Sequence, residues 1–192
     1  MPIRFDLERI INQYNCSNYF ETGLYDPRRE NASIKQALKT SIEKVYSIEI
    51  RKDFVEMAKK DNLISSEINK NRCNVYCDDS VNLYKYIQED NFKNKTIFFF
   101  DAHVDNDNIK NYKTKCPLFY ELNALKEINR KDNIICIDDL RILKTNNPWG
   151  ETNKNNVNYI DEIKKIILDI NPEYKFSTLD GIIKDDVLLA YI

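Results

Sequence analysis

The run Thr96–Ala102, TIFFFDA, constrains this chain more than any other segment. Three consecutive phenylalanines leave neither face of an extended segment polar. A strand here must be covered on both sides, as in a parallel sheet lying between two layers of helices. The run stops at Asp101, and within FFFDAHVDN the only histidine of the 192 residues, His103, follows two positions later. An apolar strand gains no stability from a carboxylate at its tip, so Asp101 and His103 are candidates for chemistry.

The flanking sequence alternates in period. DLERIINQY places Leu7, Ile10, Ile11 and Tyr14 at helical spacing, and NYFET follows as a short strand. A helix is predicted over Ser33–Lys39, a strand over KVYSIEI, a helix over FVEMAKKDN, a strand over CNVYCDDS and an amphipathic helix over VNLYKYIQED. After the Phe-rich strand comes a polar loop, Val104 to Lys115, and then a helix that Pro117 can open, because proline lacks only a donor that is unpaired in a first turn. NIICIDDL reads as a fifth strand, NNPWGE as a loop and YIDEIKKIILDI as a helix. The last two strands, YKFSTLD and DVLLAYI, are joined by GIIKD, too short to hold a crossover helix, and so form a hairpin. The predicted fold is α/β: a Rossmann-like, doubly wound sheet, mostly parallel, with an antiparallel hairpin at its C-terminal edge.

At 192 residues a single domain, 1–192, is expected, large enough to bury roughly 70% of its unfolded surface. With 29 basic against 31 acidic residues, net charge −2, the chain has no general field for nucleic acid or an anionic membrane. No apolar run is long enough to span a bilayer, and MPIRFDLERI carries acids where a signal peptide needs apolar residues. The five cysteines, 16, 73, 77, 116 and 136, have no zinc-site spacing and read as reduced thiols. A cytoplasmic protein is expected; a homo-oligomer is left open.

Acids recur where an open parallel sheet binds its ligands, at the carboxyl ends of the strands. The predicted strands end in Glu21-Thr22-Gly23, Glu49, Asp78-Asp79-Ser80, Asp101 and Asp138-Asp139. Gly23 permits close approach of the backbone to a ligand, and Glu49, 26 residues on, is spaced to accept both hydroxyls of a ribose. The sequence after Gly23, LYDPRREN, has proline and arginines where a pyrophosphate cradle needs further glycines. A nucleoside without phosphates is favoured over a dinucleotide.

With these residues the chain resembles the class I S-adenosylmethionine-dependent methyltransferases. That resemblance implies that Glu21 and Gly23, with Thr22 between them, contact the methionine part of the donor, that Glu49 holds the ribose, and that Asp79 and Ser80 contact the adenine. NYFETGLY, KVYSIEI, DDS, FFFDAH, CPLFYEL and IDDLRIL, in that order, are similar to the metal-dependent sugar O-methyltransferases related to macrocin O-methyltransferase. In such enzymes an aspartate after the fourth strand and a pair after the fifth hold magnesium, which maps to Asp101, Asp138 and Asp139. Carboxylates converging from separate strands do repel unless a cation lies between them, and oxygen ligands favour magnesium or calcium over zinc.

The expected cofactors are therefore S-adenosylmethionine, which Asp101 also borders, and magnesium or another divalent cation. The expected partner is a small-molecule or carbohydrate acceptor, with no nucleic acid and no membrane. His103 would take the acceptor's proton as general base, or else be a further metal ligand or a solvated loop residue. Val104 to Lys115 and NNPWGE are the expected acceptor pocket and lid, with Trp149 either stacking on a sugar or packing in its loop. Arg28 and Arg29 would pair with the donor's carboxylate or lie idle on the surface. The rival reading is a binding or scaffold protein whose donor site has degenerated. A metal-dependent phosphohydrolase would leave Glu49 and Asp79 unexplained.

Overall fold

A computed structural model describes residues 2–87, 92–104, 112–146, 148–150 and 158–192. Helix α1 (Leu7–Tyr14) leads into β1 (Asn18–Thr22), followed by α2 (Ser33–Leu38), β2 (Lys44–Glu49), α3 (Lys52–Lys60), α4 (Asn62–Asn69) and β3 (Cys73–Cys77). A 3₁₀ helix, Ser80–Lys85, precedes β4 (Thr96–Phe100); then come α5 (Leu118–Ala124), β5 (Ile134–Ile137), α6 (Leu140–Leu143), α7 (Tyr159–Ile170), β6 (Lys175–Leu179) and β7 (Val187–Tyr191).

The strands form one sheet in the order β3-β2-β1-β4-β5-β7-β6. β1 to β5 pair in parallel; β7 runs antiparallel both to β5 and to the edge strand β6. The reversed strand thus lies one place in from the edge. Alternation along β4 explains the Phe run. Phe98 and Phe100 join Phe20, Tyr46, Leu122 and Ile163 in one core layer, while Ile97 and Phe99 join Tyr19, Val45, Ile34 and Ile10 in the other. All five β4 side chains are essentially inaccessible to water.

Three local expectations change. FVEMAKKDN belongs to two helices, because Asp61 ends α3 and caps α4 by accepting the N–H groups of Leu63 and Ile64. Of VNLYKYIQED, Val81–Lys85 belong to the 3₁₀ helix, which ends before Tyr86; Gln88, Glu89 and Asp90 lie outside the described residues. The strand read in NIICIDDL stops at Ile137, and Leu140–Leu143 is a short helix. All five cysteines are free. Among the described residues no helix is long and apolar enough to cross a membrane.

The strand order reverses direction between β1 and β4. In a sheet of this kind that is where the crossover helices leave on opposite faces and a crevice opens at the carboxyl edge.

Candidate active site at the carboxyl edge of the sheet

The hydrogen-bond ladder continues one residue past the strand ends, and this gathers the acids on one rim. Asp101 N–H donates to the Thr22 carbonyl (3.2 Å), Asp138 N–H to the Phe100 carbonyl (3.0 Å) and Asp78 N–H to the Glu49 carbonyl (3.2 Å). Gly23 closes the crevice's floor. Its φ is +84°, and a Cβ there would lie 2.7 Å from the Asp101 carbonyl oxygen, so the close approach of β1 and β4 depends on glycine.

Glu21 is buried, its carboxylate accepting hydrogen bonds from the Tyr19 and Ser47 hydroxyls (both 2.9 Å). Thr22 is fully buried, and among the described residues its hydroxyl approaches only the Glu121 carboxyl, without closing a well-formed hydrogen bond. Glu49 accepts one backbone N–H on each oxygen, from Tyr25 and from Arg51 (both 2.8 Å). Each oxygen keeps a second lone pair for a ligand hydroxyl. Asp79 caps the 3₁₀ helix through Val81 N–H (3.1 Å) and accepts Lys113 N–H (2.9 Å); Ser80 beside it is buried. Arg28 is occupied by Asp26 at 2.6 Å, and the Arg29 guanidinium lies 4.9 Å from the centre of the Tyr25 ring.

Around His103 the structure is specific. Nδ1 lies 3.7 Å from Asp139 Oδ2 and 4.0 Å from Asp101 Oδ1, and the ring stacks on Trp149 with centroids 4.7 Å apart. Trp149, weighed from sequence as a sugar platform, therefore has its stacking partner inside the protein. Val104 and Tyr112–Lys115 are described, but the rest of the predicted lid, residues 105–111, and Asn147 and Glu151 of NNPWGE lie outside the described residues.

Asp101, His103 and Asp139 each present an atom within 4.8 Å of the others, and so, separately, do Asp138, Asp139 and Asp186. The trio expected from sequence, Asp101, Asp138 and Asp139, is thus divided between two overlapping groups that share Asp139. Asp138 accepts Asp139 N–H (2.8 Å), and Arg141 bridges Asp139 Oδ1 (2.7 Å) and Asp186. Burial, then Asp101 and Asp139, push the Asp138 carboxyl up to about 7. Asp139 is raised as well, by burial and Asp101, against His103 and Arg141. Crowded carboxylates of this kind fit a divalent cation, which would relieve their repulsion.

Sequence reasoning passed over three residues here: Glu121, Arg141 and Asp186. For Glu121 a signal existed, an acid on the Leu118/Leu122 stripe of an otherwise amphipathic helix. Its carboxyl is pushed up to about 8 by burial, with Asp79 and Asp101 adding to the rise and the approaching Ser80 and Thr22 hydroxyls opposing it. Glu21, burial dominating over its hydroxyl donors, is raised to about 7.

These shifts have a measurable consequence. In the unfolded chain such carboxyls ionise near pH 4, so around neutrality the folded state binds more protons and stability falls as pH rises. The stabilisation from protonated Glu21, Asp138 and Glu121 is complete below about pH 4 and is lost as pH passes through their folded values of about 7, 7 and 8. Urea unfolding without divalent cations should show stability declining between about pH 5 and pH 9. A flat or rising profile would contradict these assignments.

The sequence matches no protein-family model and no curated protein. Solved structures share the fold. An O-methyltransferase from Bacillus cereus in complex with SAH superposes with TM-score 0.59 at 18% identity, over 97% of this chain and 78% of that one. The O-methyltransferase TomG from Streptomyces achromogenes, involved in tomaymycin synthesis and solved with SAM, gives 0.54 at 11% identity, over 97% and 77%. The methyltransferase domain of a bacterial CtHen1 gives 0.52 at 13%, over 95% and 92%.

Proposed function

We propose that the chain is an S-adenosylmethionine-dependent O-methyltransferase acting on a hydroxyl of a sugar or glycan-like small molecule, with a divalent cation at its acidic rim. The observation that carries this reading is the meeting, at the β1–β4 reversal, of a tight glycine, acids after successive strands and an imidazole held between Asp101 and Asp139. The O-methyltransferases that share the fold, one solved with SAH and one with SAM, support it. The sugar acceptor rests on the likeness to macrocin-type enzymes.

In this reading Glu21, Thr22 and Gly23 border the donor's methionine part, Glu49 takes the ribose hydroxyls, and Asp79 and Ser80 border the adenine. Asp101 stands between donor and acceptor. His103 removes the proton of the acceptor hydroxyl, the oxygen attacks the methyl carbon in line, and the carbon–sulfur pair stays on sulfur. Asp139 faces Nδ1 and orients the ring, leaving Nε2 on the opposite edge toward the acceptor. Asp139, which both acid groups share, would hold the divalent cation together with Asp101 on one side or Asp138 on the other, and when bound the cation would lower the pKa of an acceptor hydroxyl.

Titration calorimetry with S-adenosylhomocysteine tests the reading. Binding in the micromolar range is expected; no detectable heat would favour a scaffold protein with a degenerate donor site.

A further inference from the structure

Glu121 on α5 is entirely buried, and neither carboxyl oxygen has a hydrogen-bond partner among the described residues. It lines the same small cavity as Asp101, His103, Asp138 and Asp139. The groups that face it come from three elements: the Thr22 hydroxyl at the end of β1, itself buried and without a well-formed hydrogen bond; Asp79 and Ser80 after β3; and Asp101 after β4. Every charged group among these is an acid. Arg141, the cation of this rim, is committed to Asp139 and Asp186.

A buried carboxyl faced by two hydroxyls and two acids, with no cation among them, is undercompensated, and proteins satisfy such groups with a partner or a ligand. Its position makes that ligand specific, because it faces Thr22, Asp79 and Ser80, proposed to border the donor, and shares its cavity with Asp101 at the reacting end. We propose that Glu121 is a donor-discriminating residue whose carboxyl oxygens face the positive charge of a sulfonium ligand, so that the site prefers the cationic methyl donor to its neutral product. This rests on the methyltransferase reading above.

The chemistry supplies the discrimination. Before transfer, sulfur carries three carbon substituents and a positive charge. When the acceptor oxygen bonds to the methyl carbon and the sulfur–methyl bond breaks, the electron pair returns to sulfur, which becomes a neutral thioether, while the acceptor's proton goes to His103. A negative or strongly polar oxygen beneath that atom stabilises the donor complex and adds nothing to the product complex, which favours exchange of spent for fresh donor. Glu121 would act on the sulfonium and need not affect the acceptor.

Calorimetry with S-adenosylmethionine and S-adenosylhomocysteine, on the wild type and on Glu121→Gln, tests the proposal, since the two ligands differ only by the methyl group and its charge. The near-isosteric amide should lower donor affinity about tenfold, the scale of one lost charge-assisted contact, and leave product affinity within about threefold. Product inhibition in turnover should strengthen correspondingly. A purely structural role would weaken both ligands alike, so an unchanged donor-to-product ratio overturns the inference. Glu121→Met, which fills the same buried volume without charge, provides the same comparison should the amide fail to fold. If the wild type binds neither ligand, the methyltransferase reading falls and takes this inference with it; if it binds both and the variants keep its ratio, only the role of Glu121 falls.

Discussion

Arg141→Met should destabilise the fold by about 3–5 kcal/mol, the loss typical of removing one member of a buried ion pair. Arg141 is the only cation bridging Asp139 and Asp186 among the ion pairs of the described residues. Asp186 is wholly inaccessible, and it also accepts the Arg141 backbone N–H at 2.9 Å, which fixes its carboxylate in place. Its surroundings are acidic: Asp138 and Asp139 each bring an oxygen within 4.8 Å of one of its own. Without the guanidinium three carboxyls face one another with only the His103 imidazole beside Asp139 to offset them, and the nearest relief is protonation. Because the Arg141 side chain keeps 26% of its exposure, some water reaches the pair and the lower half of the range is expected. Urea unfolding at neutral pH reads the effect as a drop in midpoint at unchanged slope. Arg141→Lys should recover only part, since a point charge cannot hold both carboxylates as a fork does. Adding Asp186→Asn to Arg141→Met should recover most of it. A loss below about 1 kcal/mol for Arg141→Met would show that the rim tolerates its own charge.

The sheet was legible because its signals are local. Alternation puts Phe98 and Phe100 on one face and Ile97 and Phe99 on the other, and a segment apolar on both faces admits few settings. The acids at the strand ends were legible for the same reason, since a strand's carboxyl end is visible wherever an apolar run stops. What escaped is nonlocal or weakly patterned. NLISSEIN, which forms α4, has few apolar residues, and its start depends on the Asp61 cap. Arg141 and Asp186 are 45 residues apart and meet only because Leu140 N–H binds the Asp186 carbonyl where β7 returns beside β5. The division of the three aspartates follows from that same contact, which draws Asp138 and Asp139 toward Asp186 while the β4 end keeps Asp101 beside His103. Trp149 was visible as a lone aromatic in a turn, but its partner, 46 positions earlier, was not.

His103→Ala should reduce kcat by about 100-fold or more, the usual range for a removed general base, with KM and the affinity for S-adenosylhomocysteine changing little. The split follows from position. The imidazole is held by Asp139, Asp101 and Trp149, none of which belongs to the β1 and β2 ends proposed to bind the donor's methionine and ribose parts. A ring stacked on an indole, with two carboxylates 3.7 and 4.0 Å from one edge, has less freedom to lose on reaching the transition state, and this preorganisation is what a proton acceptor needs. Trp149→Ala removes the stack while leaving the imidazole, and should cost less than His103→Ala because Asp139 still orients Nδ1. If His103 instead acted only through a bound cation, His103→Ala would weaken divalent-ion binding in calorimetry, and excess cation would restore turnover. A base cannot be restored in that way. Turnover unchanged across pH in His103→Ala would remove the imidazole from the reaction and leave Asp101 as the remaining carboxylate between donor and acceptor able to take the proton.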